Sequence, residues 1–161
     1  MLSDVLGHDT VLTIQKWEDE ECFLSGRKPY EVLEHRGNLL TSGGVSAMWL
    51  LATGGAATAF SNANAYVGVG DSTTASTSGM TDLQAATNKL RKAMSAGSPG
   101  LSGNSVTFQG TYATSEGNFA WNEFAVFNAS ASGTMLNRVV YSGGTKPAGQ
   151  VWAAQITIAL T

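Results

Sequence analysis

The residues of this 161-residue chain whose types can do chemistry are His8, Cys22, His35, Ser46 and the carboxylates Asp71, Asp82, Glu116 and Glu123. Acyl transfer needs a Ser or Cys nucleophile, a His base and an orienting carboxylate within hydrogen-bond reach. Both histidines fall in the first 36 residues, remote in sequence from any nucleophile of the second half. Ser46, in the segment GVSAM, lacks the second glycine of a nucleophile elbow and reads as the packed start of a helix. Glu116 and Glu123 are separated by a Gly117-Asn118 turn, a spacing that can set two carboxyls across a hairpin as glycoside hydrolysis requires. Glu123, however, stands inside an apolar stretch, where a carboxylate is better matched to a cation from a neighbouring strand, Arg138 or Lys146.

The remaining templates fit no better. Gly68–Thr73 (GVGDST) lacks the third glycine of a dinucleotide fingerprint and the Lys-Ser/Thr of a phosphate loop, so it reads as a strand end turning at Asp71. Asp71 and Asp82 have only hydroxyls between them, which makes no metal cage. Cys22 lies among acidic residues that raise a thiol's pKa, and a single cysteine forms no internal disulfide. Asn128-Ala129-Ser130 matches the N-glycosylation pattern by letters, with no secretory signal to support it. The sequence thus predicts no catalytic, cofactor-binding or metal-ligating residue, and a protein that is not an enzyme.

Composition points the same way. Charged residues are 13% of the chain, about half the usual share of roughly 25%. Apolar residues at 43% supply a core, and 19 glycines with many Ser and Thr supply a surface of small side chains. A net charge of −3 gives no footprint for nucleic acid, which needs clustered Lys and Arg. No apolar run approaches the roughly 18 residues of a membrane span, and the first ten residues carry no basic region of a signal peptide.

The elements that must position these residues divide unevenly by charge. Residues 1–36 hold eight acids and four bases, whereas residues 37–161 hold four acids and five bases. This predicts an N-terminal arm over 1–37 and a near-neutral domain over 38–161. Apolar residues interleave the arm's charges, so Val11, Leu12, Ile14, Trp17, Phe23, Leu24 and Tyr30 are its candidate interface. Extended, such an arm reaches on the order of 100 Å, enough to clamp a neighbouring subunit. It then follows that the domain folds without residues 1–36. The acidic run Glu18–Glu21 reads as a solvated face.

In the domain, one amphipathic helix of about three turns is expected after Ser42 as N-cap, ending at Gly54-Gly55 and packing Leu40, Met48, Trp49 and Leu50 or Leu51 on a sheet. A short helical turn is expected at Thr81–Ala86. Strands are expected at Asn64–Gly70, Lys89–Ala96, Val106–Tyr112, Phe119–Asn128 (a central strand), Met135–Tyr141 and Val151–Leu160, the last with the cleanest alternation. Six short strands with turns between them predict a mainly β fold: an antiparallel sandwich or barrel, jelly-roll-like, with one short helix and an extended arm.

Five segments in order, NLLTSGGVSAMWLLATGG, NANAYVGVGDSTTA, TDLQAATN, FAWNEFAVFN and LNRVV with GTKPAGQVWAAQITIAL, make residues 38–161 resemble small β-rich virion proteins of tailed bacteriophages. The YVGVGDSTTA segment followed by TDLQ is the most specific part. The resemblance implies a capsid decoration (cement) protein. Its partners would be the major capsid protein and itself, as a homotrimer, with no nucleic acid, membrane or cofactor. It would be made in the host bacterial cytoplasm and sit on the capsid exterior. The alternative is a tail fibre or adaptor component that binds a receptor or glycan. The family supplies no catalytic residues to carry over, and residues 1–37 lie outside the matching region.

Overall fold

A computed structural model describes residues 7–37 and 39–161 of the chain. Ten strands form two antiparallel five-stranded sheets: β1 (His8–Trp17), β2 (Glu31–Arg36), β3 (Leu39–Leu40), β4 (Tyr66–Gly70), β5 (Lys89–Ala93), β6 (Gly100–Ser102), β7 (Ser105–Tyr112), β8 (Glu123–Phe127), β9 (Met135–Val140) and β10 (Val151–Leu160). One sheet runs β2-β1-β10-β7-β6, the other β3-β9-β8-β4-β5. The fold is therefore a mainly β sandwich, as the strand pattern predicted. Among the described residues the end strands of the two sheets do not pair with one another, so the barrel alternative is not realised.

The core follows from period-two alternation. On β10, Trp152, Ala154, Ile156 and Ile158 point inward as their alternation required, and Leu12, Ile14, Phe108 and Tyr112 meet them from β1 and β7. Val67, Val69, Phe124, Val126, Leu136 and Val139 close the core from the second sheet. Every residue of β8 is buried, because its other face, with Ala125 and Phe127, is covered by Leu83 from the long segment between β4 and β5. Trp121 lies at the centre of an aromatic cluster, edge-on to Tyr112, Phe124 and Trp152 at centroid distances of 4.7, 6.1 and 5.1 Å.

Three expectations are corrected. First, residues 8–36 are not a separate arm. β1 pairs with β10 over ten residues and with β2 over six, and so stands inside the first sheet. Its inward positions are Thr10, Leu12, Ile14 and Lys16, and the charge at the last hid the alternation. Lys16 stays buried because Nζ lies 4.2 Å above the Trp152 ring and 2.5 Å from the Glu31 carboxylate. Removing residues 1–36 therefore removes two strands and part of the core.

Second, the described residues form two helices, not one: α1 (Glu20–Leu24) and α2 (Ser42–Ala52). Within the acidic run, Asp19 accepts the Cys22 N–H as an N-cap, and Glu20 and Glu21 occupy the first turn of α1, where anions are favourable. Third, Thr81–Ala86 is not helical. The Gln84 and Ala85 N–H groups donate to the Glu123 carboxylate instead of to helical carbonyls.

Candidate functional site

Glu123 and Arg138 are both wholly buried, with Arg138 Nη2 2.8 Å and Nε 2.9 Å from Glu123 Oε2. The pairing expected for Glu123 is thus formed, with Arg138 rather than Lys146. Every other oxygen contact of the carboxylate is also committed: Gln84 N–H donates to Oε2 and Ala85 N–H to Oε1, each at 2.8 Å. Arg138 Nη1 donates onward to the Thr74 carbonyl at 2.7 Å and to Ser76 Oγ at 3.1 Å. The pair fastens both ends of the β4–β5 segment onto the second sheet. Gly70 is required beside it, because a Cβ there would collide with the carboxylate.

Glu116 does not join Glu123. Lys92 Nζ donates to its two oxygens at 2.7 and 2.6 Å, and the Ala113 N–H donates to Oε2 at 2.9 Å. Burial pushes the Glu116 carboxyl up, but these donors outweigh it and hold it below the usual value. The two carboxylates thus stabilise separate loops. Cys22 is raised in pKa, first by its hydrogen bond with Asp19. Among the described residues no group of three His, Cys, Asp or Glu is placed to hold a metal ion, and no helix is long and apolar enough to cross a membrane.

The seven candidate arm residues scatter. Leu12 and Ile14 are core, and Trp17 is buried against Phe23, Val151 and Ala153 on the outer side of the first sheet. Val11 and Phe23 are half-buried. Leu24 and Tyr30 remain open, 74% and 50% exposed, with Tyr30 Oη donating to Gln150 Oε1 at 2.9 Å.

The surface best built for a partner is α2, which sequence reasoning placed face-down on the sheet. Thr41, not Ser42, is its N-cap: Thr41 Oγ1 accepts the Gly44 N–H at 2.9 Å and donates to the Met135 carbonyl. The Ser42 N–H donates to the Ser78 carbonyl at 2.8 Å. Gly44 and Ala47 are the buried residues of the helix, and half-buried Met48 packs with Leu40 against the core as expected. A Cβ on Gly44 would meet the Leu136 backbone at 2.4–2.9 Å, so the helix lies directly against β9.

This seating leaves four of the large side chains exposed. Trp49 is 67%, Leu50 44%, Val45 37% and Leu51 37% exposed. Beside them an apolar hollow of about 530 Å³ runs between α2, the start of β1 and the end of β10, lined by Leu40, Met48, Trp49, Ala52 and Leu160 with His8 among its lining residues. Val45 and Trp49, four residues apart, lie on one face of the helix and border the hollow, so they form one exposed apolar patch. No Asp, Glu, Lys or Arg occurs between Arg36 and Asp71, so the patch carries no charge of its own segment. That charge-free run is the sequence signal that marks the site.

Comparisons with protein-family models, with curated proteins and with solved structures return no match.

Proposed function

We propose that the protein is a capsid decoration (cement) protein of a tailed bacteriophage, which binds the head lattice through α2 and stabilises it. The observation that carries the reading is the uncharged α2 surface, with Trp49, Leu50, Leu51 and Val45 held outward beside an apolar hollow. The resemblance of residues 38–161 to such virion proteins names the lattice and the major capsid protein as the partner.

Docking a charge-free face desolvates no ion, so modest apolar contacts give net affinity. An exposed Trp beside a pocket is the residue type that dominates binding energy. Repetition on a lattice converts a modest single-site affinity into avidity once copies associate with one another, as the homotrimer of the resemblance would. In this reading the protein sits on the capsid exterior, takes no cofactor and catalyses nothing.

The test is binding to purified, undecorated heads by the wild type and by a Trp49→Glu/Leu50→Glu variant. Both side chains are solvent-facing, so the variant keeps its fold. Loss of head binding by about 30-fold or more is expected from a hot-spot Trp worth roughly 2 kcal/mol or more. Unchanged binding would remove α2 from the interface.

A further inference from the structure

The loop between β7 and β8 is held by a lysine that forms none of the ion pairs among the described residues. Lys146 is 1% exposed, and its Nζ donates to Asn118 Oδ1 at 2.8 Å and to the Ala113 carbonyl at 2.9 Å. Asn118 Nδ2 donates to the Thr114 carbonyl at 3.1 Å, which turns the amide so that its carbonyl meets the lysine. The Glu116 carboxylate accepts the Ala113 N–H, so it sits on the same residue whose carbonyl Lys146 holds. Beneath the loop, Trp121 Nε1 donates to the Gly117 carbonyl at 2.8 Å, and Gly117 itself has a φ of +61°, a left-handed conformation that favours glycine.

We propose that Lys146 and Asn118 join in an intramolecular isopeptide bond, which ties the β7–β8 loop covalently to the segment leading into β10. The Lys146 amine attacks Asn118 Cγ, forming the new N–C bond. The Cγ–Nδ2 bond breaks, and Nδ2 leaves as ammonia with a proton given up by Nζ. Lysine amine and asparagine amide become one secondary amide and one ammonia, with no oxidant or reductant. Asn118 is solvent-exposed, so the ammonia has an exit.

An amide resists amines in water because the amine is protonated and the encounter is rare. Here burial pushes the Lys146 amine down to about 8, against the opposing charge of Glu116, so a usable fraction is unprotonated near neutral pH. The fixed contact supplies the proximity that makes a slow bimolecular step intramolecular.

Intact-mass analysis of the full chain, fresh and after incubation at about pH 9, tests the bond near the amine's own titration range. The expected mass is one ammonia below that of the sequence, and trypsin should yield peptide 93–138 linked to peptide 139–161. Lys146→Arg and Asn118→Ala should keep their full sequence masses, and the exposed position of Asn118 makes the second the safer variant for folding. Asn118→Asp should form the same link with loss of water, a result that a purely structural hydrogen bond does not give. Folded wild-type protein with its full mass and two separate peptides after incubation would overturn the proposal. So would loss of ammonia without a linked peptide, the mark of a succinimide at an asparagine.

Discussion

Replacing Arg138 by Met tests whether the buried pair holds the second sheet and its covering segment together. The substitution keeps the side chain's bulk but removes the contacts of Nε and Nη2 with Glu123 Oε2 and the Nη1 bonds to Thr74 and Ser76. Glu123 is left wholly buried with two backbone N–H donors and no cation. Breaking a buried pair from one side costs about 3–5 kcal/mol. For a chain of this length that corresponds to a fall in Tm of roughly 6–20 °C.

Two double variants sharpen the test. Glu123→Gln/Arg138→Met keeps an acceptor for a backbone N–H without the charge and should recover part of the loss. Glu123→Leu/Arg138→Met should not, since it orphans the Gln84 and Ala85 N–H groups at about 1–3 kcal/mol each. Urea unfolding, with midpoint and slope fitted together, reads these differences. A loss below about 1 kcal/mol for Arg138→Met, or wild-type stability for the Leu/Met variant, would refute the claim that this pair fastens the segment.

Other outcomes follow from single contacts. Gly44→Ala should destabilise by about 1–3 kcal/mol and change Trp49 fluorescence, because the added methyl pushes α2 off the Leu136 backbone. Burial pushes the Tyr112 hydroxyl well above 10, so its contribution is complete below the unfolded value of 10.0 and is lost as pH rises through the folded one. Tyr112→Phe should lose about 1 kcal/mol at neutral pH, the worth of the bond its hydroxyl donates to the Val67 carbonyl, and should show a flatter alkaline limb in a pH series of melts. Glu116 has the opposite sign: its depressed folded value makes its contribution present at neutral pH and lost as pH falls through that value. Lys92→Met should therefore flatten the acid limb of the same series.

How much of this was legible in the sequence depends on how burial shows itself. β10 was plain because Trp152, Ala154, Ile156 and Ile158 alternate without charge, and β8 because both of its faces are apolar. Glu123 announced its cation by standing in that strand. β1 was missed because Lys16 reaches the core through a tryptophan face and a surface glutamate, which no alternation of apolar letters reveals. The segment around Leu83 has a capping residue and an acid where a helix would want them, yet a carboxylate from β8 takes its backbone donors. The orientation of α2 was hidden for a related reason. Its glycine and alanine permit the closest approach to β9, so they face in beside Met48, while Val45, Trp49, Leu50 and Leu51 are left exposed, which an amphipathic reading does not show. The charge-free run from Gly37 to Gly70 was visible and is what marks the surface proposed for the partner.

The most direct test of the assembly role is co-sedimentation of the purified chain with empty, tail-free phage heads, counting copies bound at saturation. The account predicts a plateau in fixed proportion to the lattice subunits, hundreds of copies per head. Absence of binding to heads, with binding to tails or host cells instead, would contradict it.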